Sequence, residues 1–211
     1  MKTNPELRKE AKELLAGNWT VTVTIALLAT LVTSAPSLFN LTESVTTSLI
    51  SLILVIAISF PLNFGVKMTF MSFCRGEQLK VENILGMFNK TYYGKSVILG
   101  LLMSIYTFLW TLLLIVPGII KSLSYAMAPY IMLDNPNISA EEAICKSMQM
   151  MDGHKMNLFL IQLGYWGYGL LSLLLLGIPL LWIMPYYEVV YIKFYEEIKN
   201  ENRTPEAIAQ V

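Results

Sequence analysis

The stretch MNLFLIQLGYWGYGLLSLLLLGIPLLWIMPYY, at residues 156–187, contains no Asp, Glu, Lys or Arg. Three more charge-free runs, at 19–42, 44–66 and 96–120, are also rich in Leu, Ile, Val and aromatic residues. A helix needs roughly 20 apolar residues to cross the hydrocarbon of a bilayer. Four such runs in 211 residues predict an all-α, multi-pass membrane protein rather than a soluble domain.

Helix-breaking residues divide two of the apolar regions. Gly177 and Pro179 interrupt 156–187, and Pro117 and Gly118 separate 96–116 from 119–133. Proline lacks a backbone donor and clashes with the preceding turn, whereas glycine tolerates the backbone angles of a sharp reversal. We therefore predict a helical bundle of six spans in three hairpins, at about 19–38, 49–70, 96–116, 119–133, 156–176 and 178–192.

The distribution of positive charge favours this layout. The segments 1–18, 71–95, 134–155 and 193–211 hold 13 of the 15 Lys and Arg residues. The loop near 39–48 and the two turns hold none. Because cytoplasmic loops carry an excess of Lys and Arg, both termini are predicted to be cytoplasmic.

A short amphipathic segment precedes each hairpin, which indicates internal repetition. We read the chain as one integral membrane domain with units at 1–75, 76–135 and 136–200, and a polar tail at 201–211. Thr3 with Glu6, and Ser139 with Glu142, have the spacing that starts a capped helix. The predicted apolar faces of these cytoplasmic-side interfacial helices are Leu7, Ala11, Leu14 and Leu15; Val81, Ile84, Leu85 and Phe88; and Ala140, Ala143, Ile144, Met148 and Met151. A glycine, at 17, 94 or 153, precedes each hairpin.

Composition excludes several functional classes. The net charge is zero, whereas a nucleic-acid partner requires a basic surface. Two cysteines and one histidine give no disulfide framework and no metal-ligand spacing. No phosphate loop or nucleophile–base pair is present, so we expect neither a cofactor nor an enzyme.

A string of motifs in the second half of the chain is more specific. It comprises Pro117-Gly118, Tyr125, Pro129-Tyr130, Asp134-Asn135-Pro136, Ser147, Met151-Asp152-Gly153-His154-Lys155, Phe159, Pro185-Tyr186 and Phe194-Tyr195. This combination resembles the bacterial integral membrane proteins grouped as domain-of-unknown-function family 975, over nearly the whole chain. The resemblance implies a multi-pass protein of the bacterial cytoplasmic (inner) membrane and supplies no activity.

Three ionisable residues lie in or near the apolar spans and form the candidate intramembrane polar site: Glu188, Lys121 and Lys67. Such residues are costly in hydrocarbon and are functional candidates by default. The structural alternative is that Glu188 lies at headgroup level and that the two lysines extend to the membrane surface. A second group, Lys95, His154 and Lys155, is predicted to contact anionic lipid headgroups.

Two functions are therefore weighed. The first is a non-enzymatic role in shaping, sensing or scaffolding the membrane, with the lipid bilayer and a membrane protein or a second copy as partners. The alternative is a small transporter or channel subunit with an intramembrane site near Glu188. A membrane enzyme ranks last, since the only residues that would support catalysis are His154 and the nearby Asp152.

Overall fold

The computed structural model describes residues 2–34 and 45–208, and the regular structure within these ranges is helical throughout. Residues 39–44 of the predicted outer loop lie outside the described residues, while 45–48 belong to a helix. The helices are α1 (Asn4–Leu15), α2 (Trp19–Ser34), α3 (Val45–Leu54), a π segment (Val55–Ser59), α4 (Phe60–Cys74), a 3-10 helix (Val81–Phe88), α5 (Lys90–Leu113), α6 (Ile115–Tyr125), α7 (Ala128–Asp134), α8 (Ala140–Met150), α9 (Lys155–Leu173) and α10 (Leu180–Ile208).

Three helical stretches within the described residues are long and apolar enough to cross a membrane. They are Val45–Cys74, Thr91–Leu113 and Ile115–Asp134. The pair α1 and α2, bent by 100° between them, qualifies as a fourth when taken together. The prediction of an all-helical chain with several apolar helices of membrane length is therefore confirmed.

The predicted starts of α1 and α8 are also confirmed. The Thr3 N–H donates to the Glu6 carboxylate at 2.7 Å, which satisfies a donor that the helix leaves unpaired. At α8, the Ser139 hydroxyl accepts a hydrogen bond from the Glu142 N–H at 3.1 Å. Both starts match the spacing in the sequence because the cap depends only on local residues.

The apolar face of α1 is covered by the protein itself. Leu7, Ala11 and Leu15 are buried, and α1 packs against α10. The Lys2 N–H donates to the Glu197 side chain, and the Tyr186 hydroxyl donates to the Arg8 carbonyl, so the two helices run antiparallel. Ala140, Ala143 and Ile144 of α8 are buried in the same way. These predicted apolar faces therefore pack against the protein itself.

The second amphipathic segment is a 3-10 helix, which corrects its predicted face. Ile84 and Met87 are buried, whereas Leu85 and Phe88 are 64% and 41% exposed. Residues three apart share a face of a 3-10 helix, while the prediction assumed the α-helical period of 3.6. This segment also has no side-chain cap.

The turn between α5 and α6 lies at Leu114, three residues before the predicted bend. Leu114 is extended, with φ −160° and ψ 142°, and α6 begins at the next residue. Pro117 and Gly118 belong to the first turn of α6, where a missing N–H costs nothing because the first donors of a helix have no partner. A Cβ on Gly118 would lie 2.3 Å from the Thr111 hydroxyl, so this glycine lets the two helices approach closely.

The predicted turn at Gly177 is present, but α10 extends beyond its predicted end. Leu176 and Gly177 both have positive φ, at 57° and 76°. We expected the last span to end near residue 192, whereas α10 continues to Ile208 and includes most of the predicted tail. The residues that follow Tyr191 contain no proline or glycine before Pro205, so nothing stops the helix there.

Two of the three predicted glycine positions mark a helix end. Gly17 and Gly153 have φ of +86° and +78° and precede α2 and α9. Gly94 lies inside α5 instead. The first and third units therefore share a left-handed glycine directly before the hairpin, whereas the corresponding Gly94 of the second unit is helical.

Candidate functional site

Glu188 of α10 lies at a junction of three helices. One of its carboxylate oxygens is 3.1 Å from the Lys67 ammonium of α4 and accepts a hydrogen bond from the Tyr130 hydroxyl of α7 at 2.8 Å. The side chains of Lys67 and Glu188 are 25% and 18% exposed. Lys67 also lies 4.9 Å from the centre of the Tyr130 ring. The carboxylate thus pairs with the Lys67 ammonium and accepts a hydrogen bond from the Tyr130 phenol, and both groups come from distant parts of the chain.

A break before α7 places Tyr130 in this junction. Pro129, in the first turn of α7, follows an interruption at Ala126 and Met127. The buried Ser147 of α8 bridges this break: its hydroxyl accepts from the Met127 N–H at 3.1 Å and donates to the Ser124 carbonyl at 2.7 Å. The backbone groups freed by the break are therefore satisfied inside the protein, as a low-dielectric environment requires.

Glu188 forms part of the wall of a cavity of about 390 Å³ between α2, α4, α9 and α10. Five polar residues share the wall: Thr30, Thr33, Ser59, Asn63 and Gln162. The two threonine hydroxyls donate to carbonyls of their own helix, so their oxygens still have lone pairs to offer a ligand. The Gln162 side-chain amide forms no hydrogen bond with another described residue. Aromatic side chains complete the wall: Phe70, Tyr165, Trp166, Tyr187 and Tyr191.

The π segment adjoins this cavity through Ser59. Pro61 has no N–H for the Ala57 carbonyl four residues earlier, and the Tyr93 hydroxyl donates to that carbonyl at 3.3 Å. Single π turns inside α-helices occur frequently at functional sites. The only sequence signal for this irregularity is Pro61, which predicts a kink without specifying its form.

A second charged cluster joins the C-terminal ends of α4 and α7 to the middle of α10. Asp134 accepts hydrogen bonds from the Tyr195 hydroxyl at 2.7 Å and from the Lys199 ammonium. Arg75 bridges Asp134 at 2.7 Å and Glu196 at 2.6 Å. Burial, followed by the Asp134 hydrogen bond, raises the pKa of the Tyr195 hydroxyl well above its ordinary value. We call these five side chains the Asp134 network.

The Tyr130 and Tyr195 rings connect the two clusters. Their centres are 5.5 Å apart, the planes are inclined by 27°, and both residues are almost completely buried. A continuous chain of contacts thus runs from Glu188 through Tyr130 and Tyr195 to Asp134. None of these pairings follows from local sequence, because the partners are 58, 61 or more residues apart.

The other predicted site residues lie apart from this junction. Lys121 lies 5.0 Å above the Trp110 ring. Lys95 donates to the Pro136 carbonyl, and Lys155 is 3.7 Å from Asp152. His154 is the residue immediately before α9. The structure therefore unites Lys67 with Glu188 and separates both from Lys121.

Metal binding finds no support in the described part of the chain. Among residues 2–34 and 45–208, no three His, Cys, Asp or Glu side chains come close enough together to hold a metal ion.

The sequence model of the family described as "Protein of unknown function (DUF975)" matches residues 1–121 and, in a second overlapping match, residues 111–202. The chain belongs to the DUF975 family. The resemblance noted from the motifs is thereby confirmed. No curated protein and no solved structure matches the chain, so the function of this DUF975 member is argued from its site.

Proposed function

We propose that this DUF975 protein is a small transporter or channel subunit that binds a cation or a proton at Glu188. One observation carries the proposal: a carboxylate between apolar helices lines a cavity with several polar residues in its wall, and it is bound by Lys67 and Tyr130, which are not part of that wall. Ionisable groups in such surroundings are rare, and they mark ion pathways and proton relays when they face a bundle interior.

Binding at this carboxylate has a defined structural consequence. A proton on Glu188 leaves only one charge in its pair with Lys67, and a ligand cation competes with Lys67 for the carboxylate; either weakens the pair. The proposal is that the contact between α4 and α10, which both line the cavity, then loosens. A transport cycle requires a change between two arrangements, and the proposal assigns that change to this contact.

The orientation in the membrane follows from the distribution of charge. The C-terminal ends of α4 and α7 meet the middle of α10 at the Asp134 network, and the Lys2 N–H contacts Glu197 nearby. Positive charge is concentrated in the segments that meet there. We infer six apolar segments in three hairpins in a bacterial cytoplasmic membrane, with this end and both termini in the cytoplasm.

Water access to the cavity tests the proposal. Gln162→Cys and Asn63→Cys, each introduced after Cys74 and Cys145 are replaced by serine, are labelled in membranes with cationic and with anionic methanethiosulfonate reagents. Leu170→Cys, on an exposed position of α9 outside the cavity, is the matched control. We expect labelling at residues 162 and 63, faster with the cationic reagent, and little at residue 170.

Adding Glu188→Gln to the Gln162→Cys variant isolates the role of the carboxylate. The preference for the cationic reagent falls toward unity if Glu188 attracts cations into the cavity. Absence of labelling at both residues 162 and 63, or a preference unchanged by Glu188→Gln, contradicts the proposal.

One observation favours membrane shaping as a second candidate. The turn between α9 and α10 exposes apolar side chains, with Leu176 91% exposed, while every N–H between residues 174 and 183 donates to a carbonyl of the same turn. A turn of this kind needs no water. The stretch from Leu180 to Lys193 is only about 20 Å long, against a hydrocarbon thickness of about 30 Å. A hairpin that ends inside one leaflet would act as a wedge.

Labelling of Leu176→Cys with a membrane-impermeant maleimide separates the two layouts. Six full spans predict labelling from outside intact cells. A wedge predicts no labelling from either side of the membrane until detergent is added. The native Cys145, which is exposed, serves as the control and is expected to react only from the cytoplasmic side.

A further inference from the structure

The short helix α1 has three chemically distinct faces. Leu7, Ala11 and Leu15 form the buried face, and Glu6, Glu10 and Glu13 form an acidic one. The third face is cationic, because residues three and four apart lie side by side on a helix. It consists of Arg8, Lys9 and Lys12.

The cationic face lines a cavity of about 570 Å³. The opposite wall consists of Tyr168 of α9 and of Ile183, Tyr186 and Tyr187 of α10. No carboxylate lines this cavity. It is therefore a cationic and aromatic space, whereas the Glu188 cavity is anionic.

Arg8 and Tyr187, which both line this cavity, each hold a buried polar atom without a hydrogen-bond partner among the described residues: Arg8 Nε and the Tyr187 hydroxyl. On the acidic face, Glu10 pairs with Lys2 at 2.6 Å, whereas Glu13 lies 4.0 Å from Lys9 of the cationic face. Within residues 2–34 and 45–208, no carboxylate lies within ion-pair distance of Arg8. A buried donor without an acceptor is costly, so this position calls for an anion.

Gly164 of α9 leaves the space in which these two groups meet. A Cβ at this position would lie 2.6 Å from Arg8 Nη2 and 2.8 Å from the Tyr187 hydroxyl. Only a residue without a side chain allows the guanidinium and the phenol to occupy the same corner.

We propose that this cavity is a binding site for a phosphate-bearing anion, either an anionic lipid headgroup or a free phosphate. Arg8 and the Tyr187 hydroxyl donate to the phosphate oxygens, and Lys12 adds charge at the cavity mouth. The planar guanidinium matches phosphate geometry through paired hydrogen bonds. The tyrosine rings form an amphipathic wall of the kind found where protein meets lipid headgroups. This cavity is distinct from the one that Glu188 lines, although Tyr187 contributes to the walls of both.

A binding titration on the full-length protein in neutral detergent tests the proposal. The midpoint of thermal unfolding is followed as phosphatidylglycerol, phosphatidylcholine or inorganic phosphate is added at constant ionic strength, because a ligand that binds only the folded state raises it. A rise with phosphatidylglycerol alone identifies a lipid headgroup, and a rise with inorganic phosphate identifies a free anion. No rise with either overturns the proposal.

Substitutions then locate the site. Arg8→Gln is expected to weaken binding by about tenfold or more, as loss of a charged hydrogen bond does. Lys12→Gln is expected to weaken it by about fivefold. Lys146→Gln, which removes an exposed cation on α8, is the control and leaves the affinity unchanged. Equal effects of Arg8→Gln and Lys146→Gln contradict the assignment.

A second variant keeps the test decisive if Arg8→Gln does not fold. Gly164→Ala retains every charge but displaces the Arg8 guanidinium, so it weakens phosphate binding by several-fold at unchanged net charge. Gly167→Ala, three residues along α9 with no atom within 4 Å of the added Cβ, is its control. Phosphate binding that survives Gly164→Ala overturns the site. Glu188→Gln, which tests the transport proposal, is expected to leave phosphate binding intact. Failure of the transport proposal can therefore be distinguished from failure of the phosphate site.

Discussion

Gly65 of α4 lies directly against the backbone of Ile84, where an added Cβ would stand 2.1 Å from the Ile84 carbonyl oxygen. The contact fixes the 3-10 helix against α4, and neither backbone can move away without disturbing its own helix. We expect Gly65→Ala to lower the free energy of unfolding by about 1–3 kcal/mol, the usual cost of overpacking.

An unfolding titration with SDS in mixed micelles measures this effect, and Gly167→Ala is the matched control. Its added Cβ meets nothing within 4 Å, so replacing a glycine inside a helix is expected to stabilise by up to about 1 kcal/mol. A Gly65→Ala protein as stable as the wild type would show that the two helices are not in this contact.

The ion pair between Lys67 and Glu188 predicts a specific pattern of rescue. Lys67→Met leaves a mostly buried carboxylate with only the Tyr130 hydroxyl, and we expect a loss of about 1–3 kcal/mol, less than for a fully buried pair. Adding Glu188→Gln to Lys67→Met should restore most of that loss. The same unfolding titration, run as a double-mutant cycle, measures the coupling, and strictly additive effects would contradict the pairing.

Substitution of Asp134 is expected to lower stability more than substitution of an exposed acid. Its side chain is only 8% exposed and accepts from Arg75, Tyr195 and Lys199. We expect Asp134→Asn to cost about 2–4 kcal/mol, because three donors lose an ionised acceptor. Glu142→Gln, in an exposed pair with Lys146, should change stability by less than about 1 kcal/mol. Similar losses for the two variants would show that the network is not formed.

Gly153 and Gly94 occupy corresponding positions in the sequence but are expected to respond oppositely to alanine. Gly153 has φ +78°, so alanine there is strained by about 1–2 kcal/mol, although nothing lies within 4 Å of the new Cβ. Gly94, equally uncrowded, lies inside α5, so alanine should stabilise it slightly. Thermal unfolding midpoints of the two single variants measure the difference, and shifts of the same sign would refute it.

Local features of the fold could be predicted from sequence. The apolar runs set the positions of the helices, the spacings at Thr3 and Ser139 set two helix starts, and Gly177 set a turn. Errors arose where tertiary packing decided the outcome. Leu114 turns the chain because Gly118 packs on Thr111, and Val81–Phe88 adopts a 3-10 helix against Gly65.

The candidate site was predictable only in part. Glu188 and Lys67 are conspicuous because charge is costly in apolar segments, but their pairing joins residues 121 positions apart. Arg8 was hidden for the opposite reason. It lies among seven charged residues in the first 13, and only the packing of α1 against α10 shows that its Nε is buried without a hydrogen-bond partner among the described residues.

Helix α10 connects the Glu188 cavity with the Asp134 network, because it carries residues of both. Glu188, Tyr195 and Lys199 lie on one face of that helix, with about 16 Å between the first and the last. Movement of Glu188 is therefore expected to displace Tyr195 and Lys199 on the same helix. A change in occupancy of the Glu188 cavity should then alter the contacts of Asp134 with Arg75, so a reporter group placed at the Asp134 network would detect binding at the cavity.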